Sequence, residues 1–112
     1  MVGQGDRQVS LDGDDLLRAL HALANPHRLR IVGVLTNGRK YVSQLAREIE
    51  MSRPLLHMHL QRLEAAGLVV GTLELSEEGK AMKYYEVAPF VLQITPQRIA
   101  DALATLTLPG GE

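Results

Sequence analysis

Apolar positions recur along most of this chain at the three- and four-residue spacing of amphipathic helices, and over one stretch they give way to strand-forming residues. Met1 to Val9 contains Gly and Gln, shows neither pattern and is expected to be frayed. A first helix opens near Asp12, with Asp14 and Asp15 in the turn where carboxylates favour the positive helix end. Leu16, Leu20, Leu23 and Ala24, joined by Leu17, give it one apolar stripe. Asn25-Pro26 marks a restart, because Asn caps a helix and Pro is tolerated at its first position. Leu29, Val32 and Leu35 are the expected buried face of this second helix, which Asn37-Gly38 ends. Arg39 to Val42 has room for one brief strand. Ser43 is expected to cap a third helix that turns Leu45, Ala46 and Ile49 inward. After a tight break at Glu50-Met51, Ser52 caps a fourth, with Arg53 and Pro54 in its first turn. Leu56, Leu60 and Leu63 line its inner face, and Ala66-Gly67 closes it.

Leu68 to Leu75 and Ala81 to Val87 are rich in Val, Leu, Thr and Tyr. The polar, Gly-containing stretch Ser76-Glu77-Glu78-Gly79 between them predicts a β-hairpin. Thr95-Pro96 opens a last helix with Ile99, Ala100, Leu103 and Leu106 on one side. The expected fold class is therefore mainly α with a small β-hairpin wing: a winged helix-turn-helix of five helices. Residues 11–107 form its single domain, between flexible stretches at 1–10 and 108–112.

Two short helices joined by a tight turn, the second capped and followed by a hairpin, are the parts of a DNA-reading unit. Its second helix must bury one side and offer hydrogen-bonding side chains on the other. Here Arg53, His57, Met58, Gln61 and Arg62 point away from the leucine face. Arg bonds guanine bidentately, Gln reads adenine, and an exposed Met meets a thymine methyl. Ser43, Gln44 and Ser52 lie at helix starts, where hydroxyls and backbone amides hold phosphate, and Pro54 in the first turn of the fourth helix belongs to the same DNA-facing set. Lys80 and Lys83 would add contacts from the hairpin.

Composition sharpens this picture in two ways. The chain has 112 residues and no cysteine, which excludes disulfides, thiolate metal sites and thiol redox sensing. No apolar run is long enough to span a membrane and no secretory leader is evident, so a cytoplasmic protein is expected. The net charge of −1 is unevenly spread: residues 25–66 carry seven Lys/Arg against three Glu, whereas the flanking segments are acidic. One basic face between acidic flanks suits a chain that meets phosphate with a single surface.

Leu16–Ile31 (LLRALHALANPHRLRI) resembles the opening of ArsR-type regulators. Met51–Val69 is similar to the family's recognition helix and following strand, and Lys83–Val87 to its second wing strand. The likeness runs over roughly residues 11 to 106, and the three segments in order make it specific. It implies a homodimer in which the first and last helices pack across a twofold axis. That would occupy Leu16, Leu20 and Leu23 together with Ile99, Leu103 and Leu106. It also implies an inverted-repeat operator with one recognition helix in each half-site.

The chain departs from the family where metal sensors keep their ligands. Tyr41-Val42-Ser43-Gln44-Leu45 offers no thiolate at the start of the third helix, and Asp101-Ala102-Leu103 places Leu where an imidazole is needed. His57 and His59 are two apart and so face different sides of a helix. His57 is read as facing DNA and His59 as packing at the edge of the core. Glu74, Glu77 and Glu78 make the hairpin tip acidic, which favours Lys80 and Lys83 as its phosphate contacts. The expectation is a homodimeric, sequence-specific transcriptional regulator of duplex DNA with no metal site or cofactor of its own, or one whose signal arrives through a partner protein. One alternative is a nickel- or zinc-responsive repressor using His21 or His27 with Asp14 or Asp15. Another is a winged-helix protein-interaction module. An enzyme is disfavoured, since no Gly-rich phosphate loop or nucleophile constellation stands out.

Overall fold

The computed structural model describes residues 7–8 and 12–111. The described residues form five helices and two small sheets in the order β1 (Arg7–Gln8), α1 (Gly13–Leu23), α2 (Pro26–Leu35), β2 (Lys40–Tyr41), α3 (Val42–Ile49), α4 (Arg53–Ala65), β3 (Val69–Leu75), β4 (Ala81–Val87), β5 (Phe90–Val91) and α5 (Pro96–Ala102). This is the architecture of a winged helix-turn-helix, with β3 and β4 as the wing. Most of the N-terminal stretch expected to be frayed lies outside the described residues; within it, Arg7–Gln8 pairs in parallel with Phe90–Val91. At the other end, the chain turns at Gly110, whose φ of 82° is left-handed.

Local chemistry explains most boundaries. The Asp12 carboxylate accepts from the amides of Asp14 and Asp15 (2.8 and 3.2 Å), and Asn25 accepts from those of His27 and Arg28 (2.9 and 3.2 Å). Thr95 caps α5 through the Arg98 amide at 3.0 Å. The turn between α3 and α4 depends on Glu50, whose φ of 56° places it in the left-handed region. The wing is antiparallel, in register from Val69 opposite Val87 to Leu75 opposite Ala81, and β2 adds a third strand beside β4. Gly71 lies opposite Tyr85, where a Cβ would run into the Tyr85 ring and the Lys83 side chain.

Ile31, Leu35, Leu45, Leu56, Leu60, Leu63 and Leu68 are almost fully buried and form the centre of the core. Each side chain withdrawn from water in this way contributes roughly 2 kcal/mol. Four expectations need correction. In α1 the buried stripe is Leu16, Ala19 and Ala22, while Leu20 and Leu23 are half-buried and Ala24 is exposed. Small side chains face inward there and let α1 approach α2 and α4 closely. In α2, Leu29 is 55% exposed and the inward positions are 28, 31 and 35. Arg28 takes the place expected of an apolar residue because acceptors inside the fold engage its guanidinium.

The third correction concerns Ser43. It lies inside α3, and the helix is capped ahead of it at Tyr41, whose amide donates to the Gln44 side chain at 2.9 Å. The fourth concerns α5, which stops at Ala102 and tightens into a 3-10 turn, Leu103–Thr105. The chain leaves the helix there to close on the start of α1. The Gly13 amide donates to Thr105 Oγ1 (2.6 Å), and the Thr107 amide and hydroxyl donate to the Asp14 carboxylate (2.8 and 2.7 Å). Those two bonds hold the Asp14 carboxyl below its ordinary pKa.

Candidate nucleic-acid interface

α4 buries Leu56, Leu60 and Leu63 together with His59, and its outer surface mixes polar side chains with the exposed Leu55 and Met58. Arg53, Pro54, His57, Met58 and Gln61 are all exposed, and Met58 stands 41% open on the outer surface. On one flank of α4, Arg53 and His57 line a groove of about 280 Å³ with Ser43 at the start of α3 and Lys80, Met82 and Lys83 of the wing. The groove thus gathers side chains from three elements far apart in sequence. Ser52 exposes its hydroxyl while capping α4 through the Leu55 amide at 3.4 Å. Gln44 is also exposed, with its carbonyl committed to Tyr41 and its amide donors left over.

The wing's charge is partly neutralised from within. Glu74 accepts from the Tyr41 hydroxyl at 3.0 Å and lies 3.9 Å from Arg39, whose guanidinium stacks over the Tyr84 ring. The bond to Glu74 raises the Tyr41 pKa. One of the three tip glutamates is therefore drawn back toward β2, while Glu77 and Glu78 stay exposed. Lys83 lies over the Tyr85 ring at 5.3 Å from its centre and still borders the groove.

Residues 25–70 match the model of the bacterial regulatory protein arsR family. An HTH-type transcriptional regulator of Methanocaldococcus jannaschii is 38% identical over 80 residues, which is 71% of this chain and 83% of that protein. The chain belongs to the ArsR family. The HTH-type transcriptional regulator CmtR of Mycobacterium tuberculosis is 39% identical over 69 residues, 62% of this chain, and the chain spans about half of its length (55%). Among solved structures, the homodimeric winged helix-turn-helix DNA-binding domain of a possible ArsR-family regulator from Mycobacterium bovis aligns at TM-score 0.57 with 28% identity. That alignment covers 81% of this chain and 75% of the other. This ArsR-family chain is a transcriptional regulator and not an enzyme, and among its described residues no helix is long and apolar enough to cross a membrane.

The remaining residues of interest in this ArsR-family protein fall elsewhere. Arg62 lies on the flank of α4 away from the wing, beside α1. Leu16 and Leu20 of α1 line a shallow apolar groove of about 150 Å³ with Ile99, Leu103 and Leu106, whereas Leu23 packs against the core. Among the described residues no three His, Cys, Asp or Glu side chains converge in a way that would hold a metal ion. Asp14 is taken by Thr107, Asp15 pairs with Arg18 at 2.7 Å, and the His27 ring sits against that of His59.

One pair escaped the reading of the sequence. His59 is buried (3% exposed) rather than at the edge of the core, and its Nδ1 receives a hydrogen bond from Arg28 Nη1 at 3.0 Å. Arg28 Nε also donates to the Ala22 carbonyl at 2.6 Å and Nη2 reaches the His21 carbonyl at 3.5 Å. An arginine never accepts, so this arrangement requires neutral His59 with its proton on Nε2. Burial, then the charges of Arg28, His27 and Arg62, lowers its pKa accordingly. The signal was present in the spacing, since 28, 31 and 35 share one helix face.

Proposed function

We propose that this ArsR-family regulator binds duplex DNA sequence-specifically as a homodimer, placing one α4 in the major groove of each half of an inverted repeat. The observation that carries the reading is the groove in which Ser43, Arg53, His57, Lys80 and Lys83 meet. A helix presenting Arg and Gln beside a basic hairpin edge suits base reading flanked by phosphate contacts. In this reading Arg53, His57, Met58 and Gln61 meet base edges. Ser43, Gln44, Ser52, Lys80 and Lys83 hold the DNA backbone, and Pro54, which has no donor, only packs beside it.

The apolar groove supports the dimer. Ile99 and Leu103 are 46 and 59% exposed on one face, a patch that a second copy would cover. The Mycobacterium bovis domain is homodimeric, which supports a homodimer here as well. Isologous packing of α1 and α5 would set the two recognition helices about one DNA turn apart.

The decisive test is selection from a random duplex pool, followed by fluorescence anisotropy on the enriched sequence and on a scrambled control, both in chelator. Enrichment of an inverted repeat bound at least a hundredfold more tightly than the control is expected. A pool that converges on nothing would sink the reading and bring forward a protein-interaction role.

A further inference from the structure

Between α1 and α4 lies a second and larger cleft, of about 550 Å³, on the side of the recognition helix away from the wing. Its size falls within the range of small-molecule sites. Leu17, Ala22 and Ala65 supply apolar wall; Arg18, His21, Arg28 and Arg62 bring basic groups, against the single carboxylate of Asp14. That carboxylate is already engaged by Thr107, and Arg18 is engaged by Asp15.

Arg62 has neither an ion pair nor a hydrogen bond among the described residues. Arg28 spends three of its five N–H donors on Ala22, His59 and His21, which leaves two. The two guanidiniums repel each other, and the pKa of Arg28 is lowered by burial and then by the Arg62 charge. Unbalanced cations facing a concave, partly apolar space are what an anion with a hydrophobic body would neutralise.

We propose that this cleft is a regulatory site for a small aromatic or aliphatic organic acid. Its carboxylate is held by Arg62 and the spare donors of Arg28, and its apolar body lies on Leu17, Ala22 and Ala65. The inference rests on the DNA-binding reading for its consequence, though not for the site itself. Arg28 already ties the end of α1 to His59 in α4, so a ligand bridging Arg28, Arg62 and Leu17 acts on both helices at once. α1 belongs to the proposed dimer face and α4 to the proposed DNA face. Occupancy therefore changes how far apart two recognition helices are held, which is a change in operator affinity.

The full chain is titrated with anilinonaphthalene sulfonate as the fluorescent probe, and bound probe is displaced with naphthoate or with the uncharged naphthalenemethanol. Saturable binding of one probe per protomer is expected, displaced by naphthoate at least tenfold more effectively than by the neutral alcohol. R62Q should weaken probe binding about tenfold or more, whereas R47Q on the exposed side of α3 should not. In anisotropy on the enriched duplex, naphthoate should shift the DNA Kd fivefold or more in the unaltered chain. R62Q should abolish that shift and leave ligand-free DNA affinity within twofold.

Probe binding indifferent to R62Q, or equal displacement by acid and alcohol, overturns the site. So does a loss of ligand-free DNA affinity in R62Q, because Arg62 would then belong to the DNA surface. Arg62-dependent acid binding in a chain that selects no duplex keeps the site and removes the DNA-binding reading instead.

Discussion

Arg28 and His59 show how much of a small regulator's architecture hangs on two polar side chains. Truncation in Arg28→Ala strands the Ala22 carbonyl and His59 Nδ1 without a donor in the interior. A loss of about 2–4 kcal/mol is expected, read from urea unfolding of the variant against the parent. His59 gives stability a pH dependence of definite sign. Its folded pKa is lowered from 6.5, so the unfolded chain takes up the proton first as the solution is acidified. Its contribution is complete above about pH 6.5 and is lost as pH falls through the lower folded value. A urea midpoint that declines from pH 7 to pH 5, with a shallower decline in His59→Gln, is the expected pattern. Asp14 acts in the same direction further down: its stabilisation is present above 3.8 and disappears as pH drops below that value.

At the scale of elements, the left-handed residue between α3 and α4 is a place where the chain stores strain. Glu50→Gly removes the Cβ conflict and is expected to raise stability by about 1 kcal/mol, measured by thermal or urea unfolding. The wing and α4 should behave differently toward DNA. Lys83→Ala should weaken all duplexes alike and flatten the salt dependence by about one ion, whereas Gln61→Ala should reduce the preference for the selected sequence. A Gln61 variant that lost affinity equally on random duplex would assign this residue to phosphate instead.

The element boundaries are legible in the sequence wherever their cause is local: Asp12, Asn25, Ser52 and Thr95 each cap a helix through amides within three residues of their own position. The places where the sequence misleads depend on distant partners. Arg28 displaces Leu29 from the interior because His59, thirty-one positions later, receives it. The last helix stops short because Asp14 and Gly13, at the far end of the chain, draw Thr107 and Thr105 out of it. The groove residues emerge from helix spacing and hairpin position. The split of α4 into a wing side and an α1 side requires the packing, which is why helix spacing by itself groups Arg62 with Gln61.

For the whole molecule, the open apolar face predicts that assembly and DNA binding fall together. Leu103→Glu puts a charge in the groove formed by Leu16, Leu20, Ile99 and Leu106. Analytical ultracentrifugation should find a folded monomer, with operator affinity reduced at least a hundredfold through loss of the second half-site. A dimer that survives this change would place the contact elsewhere. The clasp between residues 13–14 and 105–107 bears on the order in which assembly happens. Its bonds join positions 92 and 93 residues apart, so they close nearly the whole chain into one loop. Contacts of such long range are rewarded only after the intervening core has formed, so they belong among the late events of folding. Leu103 and Leu106 take their places beside α1 only when that loop has closed. In the proposed dimer, a partly unfolded copy would therefore lack the surface its partner requires, so subunits would fold before they assemble.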